Sequence, residues 1–279
     1  MINQLTDQLI FPDWPVKNIQ AFSTTREPPV FIAKPFSTCN SHLLPRKNAL
    51  QHFNYFNLGL HVGDDEIIVR TNRQNLAKSL PNECKIQWLE QVHGSKVVNV
   101  VKQSDKAKVA DAAITDNKSV ALAVMTADCL PILLSDKDGK EVAAIHGGWR
   151  SLVSGIIANT VKKMQTPSCE LYAWLGPCIG PSVFEVGKEV KDAFLVIDEC
   201  FSSAFKIVQC QSQNSTESLD RDKEKYLADL HQIATMQLAN LGVRSIFGQN
   251  DCTYSQPNRY YSFRRDGQTG RMATVICRK

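Results

Sequence analysis

The sequence predicts a single domain of the α/β (α+β) class. Three observations predict it. Short apolar runs of strand length alternate with segments of helical period. At 279 residues the chain is long enough to bury one large core. No Pro- or Gly-rich linker divides it, and no repeat of about 20–50 residues recurs.

In chain order, residues 1–35 read as an edge strand and loops, with Ile19–Thr25 as the strand and Pro28-Pro29 ending it. Residues 37–56, which include His42 and His52, mix polar and aromatic side chains without a period and read as a surface insertion. Glu66–Leu80 predicts a helix with Ile67, Ile68, Thr71 and Leu76 roughly on one face. Ser119–Thr126, Pro131–Leu134 and Glu141–His146 have the length and apolarity of buried strands. The period then changes, and Ser151–Met164 places Leu152, Ile156, Ile157, Val161 and Met164 at helical spacing. Leu171–Leu175 returns to strand and stops at Gly176-Pro177; Gly187–Leu195 reads as a short helix. Residues 211–225 are polar and unpatterned, a mobile surface loop. Tyr226–Leu241 predicts an amphipathic helix closed by Gly242, and Ser245–Phe247 and Met272–Ile276 are the last strands.

Composition narrows the function classes. A net charge of +4 is too mild to argue for nucleic acid, yet leaves room for a local basic site that holds phosphate. Nine cysteines, an odd number with no Cys-x-x-Cys pair, argue against a disulfide framework and a zinc ribbon, and for reduced thiols in a cytoplasmic setting. Asp7, Pro12, Asp13 and Pro15 break the first twenty residues, so no apolar core of an export signal is expected. No stretch approaches the roughly eighteen apolar residues of a membrane span.

Candidate chemistry sits where ligand-type residues follow apolar strands: Gln91-Val92-His93-Gly94, Thr126-Ala127-Asp128-Cys129 and Ile145-His146-Gly147-Gly148-Trp149-Arg150. One thiolate and two imidazoles suit a borderline-soft ion such as Zn2+, and three protein ligands leave a fourth position open for catalysis. The alternative is ordinary: a lone Cys as a small hydrophobe and lone His residues simply hydrogen-bonded. The long intervals between the three do not choose between these. Gly147 and Gly148, ahead of a helix and beside Arg150, suit an anion such as phosphate; they equally suit a plain strand-to-helix turn. Leu175-Gly176-Pro177-Cys178-Ile179-Gly180-Pro181 is a rigid turn in which Cys178 reads as a packed thiol. Phe263-Arg264-Arg265-Asp266-Gly267 reads first as a salt-bridged surface and second as a substrate contact.

Together these stretches, with Thr24-Thr25-Arg26, Asn57-Leu58-Gly59-Leu60-His61-Val62-Gly63-Asp64-Asp65 and Asn72-Arg73, resemble the YfiH-type laccase-domain family, in the family's order and over about residues 21–277. Its members are labelled polyphenol oxidases and are described as purine nucleoside phosphorylases with adenosine deaminase activity. The resemblance implies a mixed α/β fold with packed mixed β-sheets flanked by helices, His93, Cys129 and His146 as metal ligands, and Arg26 and Asn57 facing the substrate pocket; in the expected mechanism Arg26 and the ion orient the reacting groups. The chain departs from the family at Glu27-Pro28-Pro29-Val30, where a Gly-Gly-Val-Ser-type stretch is usual, and in the longer link near 37–56.

The expected activity is therefore zinc-dependent phosphorolysis of adenosine, inosine, guanosine or methylthioadenosine, together with adenosine deamination. The partners are a purine nucleoside and phosphate, with no nucleic acid or membrane, in a monomer or homodimer. The alternatives are a Cu2+-dependent polyphenol oxidase, a cysteine or metal amidase that edits peptidoglycan precursors with Cys129 as nucleophile and His146 or His93 as base, and a non-catalytic metal or nucleoside binder. Six histidines are few for a multi-copper cluster beside this site.

Overall fold

The computed structural model describes residues 8–29, 53, 55–81, 84–208, 224–248 and 250–279. Two mixed sheets stack face to face. The first has five strands in the order Leu9–Ile10, Ile19–Thr24, Met272–Arg278, Val120–Thr126, Lys85–Gln87; only the last pair is parallel. The second has six, in the order Ser245–Gly248, Leu171–Leu175, Leu130–Asp136, Val142–Gly147, Ala112–Thr115, Val97–Asn99, with a parallel pair at each edge.

The apolar runs follow from this stacking. Successive side chains of a strand point to opposite faces, so a strand covered on both sides reads as unbroken hydrophobicity. Val120, Leu122 and Val124 enter the core between the sheets, where they join Leu133, Val142, Ala144 and Trp174. Ala121 and Ala123 face the other way, toward Phe22, Phe56, Leu58 and the helical Leu76. In the second sheet Ala143 and Ile145 turn outward to a core shared with Ile156, Ile157, Ile233 and Leu238 of the covering helices. The result is helix, sheet, sheet, helix.

The structure corrects two boundaries and the inward face of one helix. The segment expected as one helix over Ser151–Met164 is two, Trp149–Val153 and Ile156–Lys163, parted at Gly155, whose φ of 79° suits glycine. The start of the expected Tyr226–Leu241 helix is instead the strand Lys225–Ala228, in a small sheet with Glu185–Gly187 and Phe205–Ile207. The helix begins at Leu230, after the Asp229 side chain accepts the Gln232 N–H at 2.9 Å, and Gly242 closes it with a φ of 89°. The helix Glu66–Ala77 buries Val69, Asn72, Asn75 and Leu76 and leaves Ile67 exposed. Asn72 turns inward because its amide donates to the Asn57 carbonyl at 2.9 Å.

Most of the insertion expected at 37–56, with His42 and His52, lies outside the described residues, as does nearly all of the expected loop 211–225. No described helix is long and apolar enough to cross a membrane.

Candidate metal centre

Strand register brings two of the candidate ligands together. Gly147 pairs with Leu130 across Val142–Gly147 and Leu130–Asp136. Cys129, one residue before Leu130, therefore faces the end of the strand that carries His146. The chain reaches Cys129 through Asp128, which turns at a φ of 94° between the two sheets. His93 arrives on the loop after the strand Leu89–Glu90 and also holds a positive φ, 58°, an uncommon state for a residue with a side chain. The Cys129 Sγ lies 3.8 Å from His93 Nε2, and one donor atom from each of His93, Cys129 and His146 falls within 4.8 Å of the others. The two imidazoles meet edge to face with ring centroids 4.7 Å apart.

Three side chains hold these ligands in place. The fully buried Asp111 carboxylate accepts the Nδ1–H of His146 at 2.8 Å and the backbone N–H groups of Val92, His93 and Gly94 at 3.3, 2.9 and 2.7 Å. It thereby fixes the His146 tautomer, leaves Nε2 as the free donor, and clamps the loop that carries His93. The Gln91 amide donates to the Met125 carbonyl at 2.8 Å and accepts the Met125 N–H at 2.7 Å, which ties that loop to the first sheet. Asp128 accepts from Thr253 Oγ1 at 2.7 Å, Ser262 Oγ at 3.0 Å and the Arg264 N–H at 2.7 Å, so the bend before Cys129 is bound to the C-terminal segment.

The electrostatics favour a thiolate. Burial pushes the Cys129 thiol up, but the adjoining His146 and His93 imidazoles outweigh it and bring it down to about 6. Burial disfavours charge on His146 as well; Cys129 and Asp111 reverse that and raise it to about 9. Asp111 itself sits below the ordinary carboxylate range, because its hydrogen bonds from His146 and the 92–94 backbone overcome its burial.

The residues fit a metal ion. Tetrahedral bonds of about 2.0–2.3 Å put neighbouring donors roughly 3.3–3.8 Å apart. The Cys129–His93 separation agrees. The space beside the donors is kept clear by Gly148: a Cβ there would come within 2.9 Å of His93 Cδ2 and 3.2 Å of Cys129 Sγ. Among the described residues no other group of three or more His, Cys, Asp or Glu side chains offers donors in such reach.

The centre opens on a cavity of about 460 Å3, lined by the apolar Trp149, Ile179, Phe184, Leu230 and Phe263 and by the basic His61, Arg150, Arg264 and Arg271. Of the residues expected at the site, His93, Cys129, His146 and Arg150 line it. Arg26 and Asn57, expected to face it, do not. Arg26 spends Nη1 on the Pro257 carbonyl at 2.6 Å and lies over the Tyr261 ring. Asn57 is fully buried, and its Oδ1 accepts the N–H groups of Gly59 and Arg271, each at 2.9 Å. Gly147 and Gly148 both answer to close packing: a Cβ on Gly147 would come within 2.7 Å of the Leu130 carbonyl oxygen. The helix after them, Trp149–Val153, has only five residues.

Sequence reasoning passed over Asp111, Gln91, His61, Phe184 and Arg271. His61 and Gln91 stood inside noted motifs. Asp111, between the strands Lys108–Val109 and Ala112–Thr115, carries no local signal.

Comparison with known proteins identifies the family. The family model described as multi-copper polyphenol oxidoreductase laccase matches residues 46–279. The purine nucleoside phosphorylase YfiH of Shigella flexneri is 40% identical over 272 residues, covering 96% of this chain and 98% of the relative. The purine nucleoside phosphorylase of Haemophilus influenzae is 40% identical over 270 residues, with 96% and 98% covered. The crystal structure of Neisseria meningitidis protein NMB0706 aligns with a TM-score of 0.80 at 35% identity, covering 98% of this chain and 99% of that one. The Bacillus licheniformis hypothetical protein YfiH, at 23% identity and a TM-score of 0.79, shares the fold.

Proposed function

This chain belongs to the family described as multi-copper polyphenol oxidoreductase laccase, and from that membership we propose that it is a metal-dependent purine nucleoside phosphorylase. The observation that carries the reading is the His93–Cys129–His146 cluster opening on a cavity with flat apolar walls and three arginines. It is supported by the relatives at 40% identity that are named for this activity.

His93, Cys129 and His146 would hold the ion, as neutral imidazoles and a thiolate. A bound Zn2+ would supply Lewis acidity at its one open coordination position, next to the reacting atoms. The walls formed by Phe184, Phe263 and Trp149 would hold a purine ring and exclude water. The guanidinium groups of Arg150, Arg264 and Arg271 would offset the charge of an attacking phosphate and of the departing base as positive charge develops on the ribose. Adenosine deamination is the second activity we assign to this cavity, because it needs the same purine walls.

Incubating the zinc-loaded protein with adenosine and inorganic phosphate tests the proposal. Adenine with ribose 1-phosphate marks phosphorolysis and inosine marks deamination; no turnover of any purine nucleoside would end it.

The family's description favours a second reading, oxidation of phenols at copper. Two His and one Cys also suit a blue-copper centre. Among the described residues the other histidines assemble no further cluster: His231 is spent on the Gly176 carbonyl and Cys178, and His61 stands apart on the cavity wall. A blue absorption band and oxygen uptake with a phenol after copper loading would restore this reading.

A further inference from the structure

The basic residues lining the cavity are not held alike. Arg150 is exposed, with its guanidinium over the Trp149 ring, and Arg264 spends Nη1 on the Glu185 carbonyl at 2.7 Å. Arg271 differs from both. Its stem is fixed: the backbone N–H is held by Asn57 Oδ1, and the side chain passes so close to Gly59 that a Cβ there would lie 2.9 Å from Arg271 Cγ. Its Nη1 donates to the carbonyls of Thr269 and Gly270 at 2.8 and 3.0 Å, which fixes the guanidinium, and its other nitrogen donors meet no acceptor among the described residues. Among the described residues it has no ion-pair partner, although the charges of Cys129 and Asp128 reach it.

His61 lies on the same loop that Asn57 fastens to Arg271, and it lines the cavity with no hydrogen bond from its ring to any described residue. Behind it stands Arg73, whose Nε donates to the Leu58 carbonyl at 2.8 Å and whose guanidinium lies 3.9 Å from the Trp88 ring centroid. Three basic side chains thus converge on residues 57–61. The consequence is visible in their ionisation: burial first, then Arg271 and Arg73, hold His61 below the ordinary imidazole range, and burial with Arg70 brings Arg73 down to about 10. The one carboxylate among the described residues that line the cavity, Asp128, is already taken by Thr253, Ser262 and the Arg264 N–H. The guanidinium charges of Arg271 and Arg73, on a rigid support and beside a neutral His61 ring that can still donate one N–H, suit an oxyanion better than a neutral ring. A guanidinium with free donors matches two oxygens of a tetrahedral oxyanion.

We propose that Arg271 and His61, backed by Arg73, form the phosphate subsite of the cavity. This rests on the phosphorolytic reading above, and it places the oxyanion against the 57–61 loop rather than on the Gly147-Gly148 turn.

The test is titration of the zinc-loaded protein with inorganic phosphate, followed by phosphorus NMR line broadening, alone and with a non-cleavable C-nucleoside analogue of inosine. Arg271→Gln should weaken phosphate binding about tenfold or more, His61→Gln about threefold, and Arg271→Lys should fall between wild type and Arg271→Gln. Lys162→Gln, an exposed cation on the covering helix, should change nothing, and zinc content should stay at the wild-type value throughout. Should Arg271→Gln not fold, His61→Gln and Arg271→Lys still decide. The inference is overturned if the wild type binds no phosphate in either condition, or if these variants bind it as wild type does. Phosphorolysis with an unchanged phosphate KM in both glutamine variants would remove the subsite and keep the activity. Phosphate held by Arg271 without any nucleoside cleavage would keep the subsite and remove the activity.

Discussion

The Asp111 carboxylate lies 2.8 Å from His146 Nδ1, and its remaining lone pairs are taken by the backbone of residues 92–94. One buried side chain therefore sets the tautomer of one ligand and the loop position of another. Asp111→Asn replaces an acceptor with an amide whose NH2 must face a ring N–H or a backbone N–H. Zinc affinity should fall by about 10–100-fold, as loss of such a supporting carboxylate commonly does. Competition against a chromophoric chelator measures it, and wild-type affinity in the variant would show that Asp111 does not organise the site.

Adjacent glycines should fail in different ways. Gly148 has ordinary extended dihedrals (φ −66°, ψ 153°), so Gly148→Ala strains no backbone; its Cβ intrudes on His93 and Cys129. The variant should stay folded by circular dichroism and lose zinc. Gly147→Ala drives a Cβ against the Leu130 carbonyl oxygen inside the sheet and should cost stability, about 1–3 kcal/mol by urea denaturation. The same phenotype for both would contradict this division.

Cys129→Ala should remove the metal and nucleoside cleavage together while the chain remains folded. Wild-type protein should carry about one zinc per chain, and chelation should lower its thermal midpoint, since an ion bound only by the native state stabilises that state. Metal analysis with calorimetry checks this. Full activity after complete chelation would instead favour a thiol nucleophile at Cys129.

Acid should act through Asp251. Its Oδ2 accepts from Tyr260 Oη at 2.6 Å and Arg259 Nη1 at 3.0 Å, and its Oδ1 from Gln256 Nε2 at 3.1 Å. Burial raises its pKa, but these donors prevail and hold it below the ordinary 3.8. A depressed carboxylate contributes stability that is present above its unfolded value and lost as pH falls through the folded one. Asp251→Asn should therefore be less stable than wild type at pH 7 and approach it below about pH 4. Urea midpoints at the two pH values would test this; a gap that widens in acid would contradict it.

The strands Val120–Thr126, Leu130–Asp136 and Val142–Gly147 were legible because each is buried on both faces and reads as an apolar run. The edge strands Lys85–Gln87 and Val97–Asn99 were missed, being three residues long with polar flanks. At the site, the three ligand candidates and Arg150 were visible as polar residues at strand ends. Asp111 and Arg271 were not, and Gln91 stood in a motif without a role, because an aspartate, an arginine and a glutamine look ordinary until the fold shows what each one faces.

By itself the sequence determined the α/β class and the three candidate donor side chains, since both depend on local pattern: apolar strand runs, and donor side chains where those runs stop. Only the tertiary structure decided that His93, Cys129 and His146 converge. That convergence needs the register of Gly147 against Leu130, the crossing between sheets at Asp128, and the Asp111 clamp on residues 92–94. It likewise moved Asn57 from the cavity wall to the support of Arg271. Ligand geometry is a matter of a few ångströms between residues far apart in the chain, and packing rather than local preference sets such distances.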